Sequence, residues 1–171
     1  GFTPAYHMSG GTIRPSEFAI ASGTNASIFS GDVVNLSSGL VIQGTATGTP
    51  LGVFAGVEYQ ATDGSVVFSK VWTADVATLG AANAKAYVYS DPDIVYEAQS
   101  TGTPTQASIG TTNTISTTAG DSNTGRSKEG VTTTTSSGIA TVVGFVDRPD
   151  NSIGQYARLY VIFPASVFGN N

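Results

Sequence analysis

The sequence predicts an all-β fold, a single-domain antiparallel β-sandwich or barrel with an extended N-terminal arm and a threonine-rich insertion. Short runs with period-two alternation recur along the chain, Gly, Pro, Asn and Asp separate them, and only one segment has helical character. At 171 residues the chain is long enough to bury a core within one domain. We therefore place the arm at residues 1–15 and the β domain at residues 16–171.

The arm combines glycines and prolines with no regular periodicity, which is typical of a chain end that is tied down only locally. It lies either across the protein's own body or against a neighbouring molecule. Phe2 and Tyr6 are its aromatic anchors in both cases. The sequence leaves open whether they contact a partner or cover this chain's own core.

Four short strand candidates follow the arm, at residues 17–21, 26–29, 32–36 and 39–43. The dipeptide between the last two predicts a hairpin. Each candidate is rich in β-branched or aromatic residues and is bounded by turn residues.

The central strand candidate spans residues 51–59. Period two places its odd-numbered residues on one face and Gly52, Phe54, Gly56 and Glu58 on the other. Two glycines on one face leave room for closely packed backbone or a bulge. Asp63-Gly64 predicts a turn and residues 65–68 a returning strand, so this segment is interpreted as a hairpin.

A second pair of strands is predicted at residues 86–89 and 94–96, joined by a type I turn over residues 90–93. Residues 72–85 are the best helical candidate, although Gly80 interrupts them and a turn or loop explains them equally well. Two apolar strands, at residues 139–146 and 156–163, close the chain.

Residues 100–137 differ in composition from the rest, with many threonines, serines and glycines and few large apolar side chains. Such a composition is typical of a disordered linker. Threonine is also a good strand former, and residues 107–109 or 114–116 are able to pair at a sheet edge. We favour an ordered loop or edge-strand insertion.

Composition excludes several classes of function. There is no cysteine, so disulfides, thiolate chemistry and cysteine-built zinc sites are excluded. The net charge is −5 and the basic residues are scattered in sequence, which argues against nucleic-acid binding. No apolar run approaches the roughly 20 residues of a membrane span. Charged residues make up only 11%, against a usual value of about 25%, which suggests a surface partly covered in an assembly.

The sequence offers little for catalysis, and we predict no catalytic, cofactor-binding or metal-binding residue. A triad would have to use the single histidine, His7, and no carboxylate partner for it is identifiable. Asp93 and Glu97 lie about 13 Å apart on an extended strand, too far for a glycosidase pair. Together with Asp91 they have the oxygen ligands that calcium prefers, but a turn explains them as well. In residues 147–151, Arg148 either pairs with one of the aspartates beside it or simply belongs to a rigid turn.

Taken together, these residues resemble a family of tailed-bacteriophage virion proteins, the capsid decoration or cement proteins. The resemblance covers roughly residues 10–99 and 144–161 and leaves residues 100–137 unmatched. The matching positions are Gly31-Asp32, Leu51-Gly52-Val53, Gly56, Tyr59, Trp72, Tyr87-Val88, Asp91-Pro92, Tyr96-Glu97 and Gln99.

The resemblance implies a non-enzymatic protein on the outer capsid surface of the virion. Its partners would be the major capsid protein and two further copies of itself in a homotrimer, with no cofactor, no nucleic acid and no membrane involved. Our candidates for contacts with the capsid or a sister subunit are Phe2, Tyr6, Arg14, Trp72 and Arg148. For Trp72 a place in the core is an equal alternative. The alternative function is a carbohydrate-binding or adhesive β-module, in which Trp72 and exposed tyrosines stack on sugar rings.

Overall fold

The computed structural model describes residues 1–20, 26–79 and 84–169, and it confirms the all-β prediction. Fifteen strands lie within these ranges. They are β1 (Thr3–His7), β2 (Ser16–Ala19), β3 (Ile28–Phe29), β4 (Val33–Ser37), β5 (Leu40–Gln43), β6 (Gly52–Gln60), β7 (Val66–Ser69), β8 (Val71–Trp72), β9 (Lys85–Tyr89), β10 (Ile94–Gln99), β11 (Thr112–Asn113), β12 (Ile115–Ser116), β13 (Gly130–Val131), β14 (Ala140–Phe145) and β15 (Arg158–Ile162). No helix in these ranges is long and apolar enough to cross a bilayer.

The first sheet has the strand order β1-β10-β15-β14-β11, and all of its pairs are antiparallel. The N-terminal arm supplies its edge strand, because Thr3 pairs with Glu97 and His7 with Ile94. The first half of the arm therefore lies on the protein's own body.

The second sheet has the order β2-β9-β6-β4-β5, with β7 pairing to the far end of β6. Its two outer strands meet, since Ile20 at the end of β2 forms a parallel bridge with Val41 of β5. The sheet thus curls on itself like a small barrel and packs against the first sheet, so the molecule combines both of the predicted architectures.

Two hydrophobic clusters hold these layers together. The first joins the inner face of the first sheet, including Tyr96 and Val161, to Val33 and Val53 of the second sheet. The second cluster includes Trp72 and the side chains of the second sheet that face the other way. Since neighbouring residues such as Val33 and Val34 belong to different clusters, the second sheet is buried on both faces.

The two predicted hairpins 32–36/39–43 and 51–59/65–68 are confirmed by the antiparallel pairs β4–β5 and β6–β7. The predicted pairing of 86–89 with 94–96 is wrong. β9 lies in the second sheet between β2 and β6, whereas β10 lies in the first sheet between β1 and β15. The turn over residues 90–93 is therefore the crossing point between the sheets, and each strand buries its apolar side chains in a different cluster.

The prediction that side chains alternate strictly along the central strand is also wrong. Phe54 pairs with Val88 and Gly56 with Tyr87, so Ala55 is an extra residue that bulges. The bulge explains why Phe54 and Val57 both point into the second cluster despite their opposite parity. The close approach predicted for the glycines is present, because a Cβ on Gly52 would collide with the Tyr89 carbonyl.

The helix predicted within residues 72–85 is absent from the described part of that segment. Trp72 ends β8, and residues 73–79 form turns and a bridge. Residues 80–83 lie outside the described residues, as does the end of the strand predicted at 17–21. Val76 is partly buried against the second cluster, whereas Ala77 and Leu79 are exposed, so the apolar residues here do not form one continuous buried face.

The threonine-rich residues 100–137 contribute two apolar side chains to the first cluster. Ile115 and Val131 are 2% and 0% exposed and pair across β12 and β13. The strand predicted at 114–116 is confirmed over Ile115–Ser116, whereas the one predicted at 107–109 is replaced by a 3₁₀ turn over Gln106–Ser108. Threonine hydroxyls pair across neighbouring strands, as between Thr114 and Thr132 at 2.7 Å, which adds a polar ladder to the apolar contacts.

Candidate functional site

Two of the five predicted contact residues are buried and two others share one surface. Phe2 is 2% exposed and packs on Phe163, and Trp72 is 0% exposed and meets Tyr59 edge to face. Their burial favours the core interpretation of both and removes them from the candidate contact surface. Tyr6 and Arg148 lie on the outer face of the first sheet, which is the best candidate site.

We call this surface the tyrosine–arginine face and define it by Tyr6, Glu97, Arg148, Arg158 and Tyr160. Strand register builds it, because Glu97 lies opposite Tyr160 on the neighbouring strand. Period two then turns Arg158 and Tyr160 outward, opposite to the buried Leu159 and Val161.

An aromatic pair forms one part of the face. The rings of Tyr6 and Tyr160 meet edge to face with centroids 5.4 Å apart, and Tyr6 is 43% exposed. Val95 is the register partner of Tyr6 and is 0% exposed, although it belongs to neither core cluster. The tyrosine pair therefore covers the buried Val95 and presents aromatic edges to solvent.

An ion-pair network forms the other part. Both carboxylate oxygens of Glu97 accept a hydrogen bond at 2.8 Å, one from Arg148 and one from Arg158. The predicted pairing of Arg148 with an adjacent aspartate is therefore wrong. Because Glu97 is only 14% exposed while the two arginines are about half exposed, the carboxylate fixes both guanidinium groups in place and leaves their outer edges to solvent.

Arg14, the remaining predicted contact residue, lies elsewhere. It is exposed and lines a separate open cavity of about 740 Å³ together with His7, Asp91 and Phe168. The rings of Phe168 and Phe18 stack with centroids 6.2 Å apart. The structure thus does not bring Arg14 together with Tyr6 and Arg148 in one site.

A cluster around His7 fastens the arm to the crossing turn. Nδ1 of His7 accepts backbone N–H bonds from Ser9 at 3.3 Å and from Gly11 at 3.1 Å, so its proton is on Nε2, which donates to Asp91 at 3.1 Å. The hydrogen bond from the Asp93 N–H lowers the pKa of Asp91, and the hydrogen bond from His7 lowers it further. We call this group the arm clasp.

The arm clasp brings serine, histidine and aspartate together, but its hydrogen bonds differ from those of a catalytic triad. In a triad the serine hydroxyl donates to an unprotonated histidine nitrogen. Here the hydroxyl of Ser9 lies 3.2 Å from Nδ1 of His7 but donates its proton to Asp93 at 3.0 Å, and Nδ1 accepts two backbone N–H bonds. Asp91 is the carboxylate partner of His7 that the sequence did not identify, because it lies 84 positions away.

The same residues bear on metal binding. Ligand atoms of His7, Asp91 and Asp93 lie within 4.8 Å of one another. Glu97, the third acid of the predicted trio, points to the tyrosine–arginine face instead. The protonated Nε2 of His7 has no lone pair to offer, so a cation at this point would have to disrupt the arm clasp.

Replacing His7 with alanine is expected to loosen the arm without unfolding the protein. The substitution removes the acceptor for the Gly11 N–H and the link to Asp91. Amide hydrogen exchange at Gly11 should accelerate about tenfold, while global stability changes by about 1 kcal/mol or less. Met8→Ala is the matched control, because Met8 lies in the same turn and is 58% exposed. Equal exchange rates in His7→Ala and the parent protein would contradict this role.

A pair of buried acids lies in the interior. Asp32 and Glu129 are 1% and 2% exposed. Burial, and to a smaller extent the nearby Asp32, raise the pKa of Glu129 from 4.5 to about 8, and burial also raises the pKa of Asp32. Oε2 of Glu129 accepts the Val33 N–H at 2.7 Å, which ties the threonine-rich segment to β4. The sequence carries no signal for this pair.

Comparison of the chain with protein-family models, with curated proteins and with solved structures finds no match. The resemblance to the decoration family therefore stays a prediction, and the functional argument rests on the site itself.

Proposed function

We propose that this chain is a non-enzymatic virion protein that binds the outer surface of a phage capsid and stabilises it by bridging neighbouring major-capsid subunits, as a homotrimer. The tyrosine–arginine face is the observation that carries the proposal. It is the surface through which we expect the chain to dock.

The composition of this face supports a role in protein recognition. Tyrosine and arginine are the residue types most enriched, with tryptophan, among those that dominate binding energy at interfaces. Tyr6 and Tyr160 form a rigid pair, and the two arginines are held by Glu97 before any partner arrives. Preorganised side chains lose less conformational entropy on binding, so more of the contact energy remains as affinity.

The low charge of the chain supports a place in an assembly. Only 19 of the 171 residues are lysine, arginine, aspartate or glutamate, 7 of them basic and 12 acidic, so much of the surface is polar but uncharged. Such a surface desolvates at lower cost than a charged one. In a trimer, three modest docking faces act together, and their combined strength exceeds that of one face by orders of magnitude.

The alternative function, a carbohydrate-binding or adhesive β-module, loses its main candidate residue because Trp72 is 0% exposed. What favours it is the exposure of Tyr6 and Tyr156, at 43% and 58%. Binding to a glycan array that disappears in Tyr156→Ala would support this alternative over the capsid.

Two substitutions on the tyrosine–arginine face test the proposal. The parent protein should sediment as a trimer and co-sediment with empty shells of the phage that encodes it. Tyr6→Ala and Arg148→Ala should each weaken shell binding about tenfold or more, because each removes a preorganised anchor. Co-sedimentation over a concentration series measures the loss.

Phe68→Ala is the matched control, since Phe68 is an aromatic residue that is 72% exposed on β7 of the other sheet. It should leave shell binding unchanged. If Phe68→Ala weakens binding and the two face variants do not, the docking surface has been assigned to the wrong sheet. A parent protein that is a strict monomer and does not bind the shells would refute the proposed function itself.

A further inference from the structure

The fold gathers three basic residues that are far apart in sequence around one groove. Lys70, Arg126 and Arg158 line an open groove of about 430 Å³ beside the start of β1, and they are three of the seven basic residues of the chain. Glu97 is the only acid among the described residues that line it. The lining side chains thus include three cations and one carboxylate, on a protein whose net charge is −5. We call this feature the basic groove.

Backbone contacts hold one wall of the basic groove in place. Ser30 donates its N–H to the Lys70 carbonyl at 2.9 Å and bridges to Arg126. Gly125 has a φ of +69° and lies against the Lys70 side chain, which allows the turn before Arg126 to approach this closely. Lys70 and Arg126 are thus neighbours by construction of the fold.

Ion pairing distinguishes the two cations of this wall from Lys85 and Lys128. Over the described ranges, neither Lys70 nor Arg126 forms an ion pair with an acidic side chain, whereas Lys85 pairs with Glu17 and Lys128 with Asp121. Both side chains are exposed. On the opposite wall, Arg158 gives one N–H to Glu97 and its side chain remains 51% exposed.

We infer that the basic groove is a binding site for an extended, carboxylate-rich peptide segment. Free cations in a groove attract carboxylates, and arginine binds them with paired N–H groups. The volume lies within the roughly 300–1,000 Å³ of typical ligand sites. The groove shares Glu97 and Arg158 with the tyrosine–arginine face, so a partner docked on that face is placed to supply the segment. That the segment belongs to the capsid subunit rests on the proposed function.

Charge complementarity favours an acidic peptide over a nucleic acid. A nucleic-acid backbone is a long polyanion and needs a basic stripe along its path. This groove is short, Glu97 lies within it, and the whole protein is acidic. A few carboxylates on a flexible segment match the three cations without bringing further negative charge against the rest of the surface.

The test uses a peptide probe that does not depend on the capsid. Titrating the ¹⁵N-labelled protein with N-acetylated, C-amidated tetra-aspartate should shift amide resonances at Lys70, Arg126 and Arg158. Tetra-asparagine should not shift them. Lys70→Gln combined with Arg126→Gln should raise the dissociation constant of tetra-aspartate at least fivefold, and higher salt should weaken binding of the parent protein.

Arg14→Gln combined with Lys85→Gln is the matched control. It removes two positive charges outside the basic groove and should leave peptide affinity unchanged. Equal weakening by both double variants, absence of binding, or tighter binding of a short single-stranded DNA would overturn the inference. If the protein binds tetra-aspartate but not the shells, the proposed function fails while the acidic-peptide site stands. If it binds the shells but not the peptide, the acidic-peptide site fails while the proposed function stands.

Discussion

Replacing Trp72 with alanine is expected to lower the free energy of unfolding by about 3–5 kcal/mol. The side chain is 0% exposed, its strand partner is Ile28, and its ring lies edge to face against Tyr59 with centroids 5.5 Å apart. Removing the indole leaves a cavity in the second cluster, which the curled sheet cannot collapse to fill. Equilibrium urea denaturation of the parent and the variant measures the difference.

Phe68→Ala is the control for this stability measurement, because it truncates a large aromatic residue that lies outside the core. Because Phe68 is 72% exposed, its truncation should change stability by no more than about 0.5 kcal/mol. A Trp72→Ala variant as stable as Phe68→Ala would contradict the burial of Trp72 and would reopen its role as a contact residue.

Trp72 also shows where sequence reasoning about this chain reaches its limit. A lone aromatic at the end of a two-residue strand has the same sequence surroundings in a core and at an interface. Only the curling of the second sheet, closed by the Ile20–Val41 bridge, decides that the ring points inward. Strands themselves were predictable because period two is a local property, and most of those predicted are present.

Strand partners were harder to predict than strands. The segments that became β9 and β10 are both apolar and are joined by a turn sequence, which describes a hairpin and a crossing between sheets equally well. The bulge at Ala55 has no marker beyond two nearby glycines. Both features depend on which surfaces the completed sheets bury.

The candidate site was predictable in part. Tyr6 and Arg148 were singled out, and Arg158 and Tyr160 could have been found from the outward parity of the last strand. The basic groove could not be predicted, since Lys70 and Arg126 become neighbours through contacts with Ser30 and Gly125 that exist only in the folded chain. Basic residues that are scattered in sequence are therefore not scattered in the folded protein.

Raising the pH from 5 to 8 is expected to destabilise the protein through Glu129, and Glu129→Gln should remove this effect. The folded-state pKa of about 8 lies above the value of 4.5 for an unperturbed side chain. Between these values the unfolded chain releases a proton that the folded protein retains, so stability falls as the pH rises, by up to about 1.4 kcal/mol per pH unit. The contribution is fully present below pH 4.5 and lost above pH 8. Urea denaturation at several pH values measures the slope.

Glutamine suits this test because it is neutral at every pH and its amide oxygen can still accept the Val33 N–H that Glu129 binds. The variant should therefore be more stable than the parent at pH 8 and similar to it at pH 5. Glu17→Gln is the control, since Glu17 is 59% exposed and should leave the slope unchanged. Burial raises the pKa of Asp32 in the same direction, so a slope that disappears in Asp32→Asn but persists in Glu129→Gln would assign the retained proton to Asp32. A flat profile in the parent protein would mean that neither acid is buried in its neutral form.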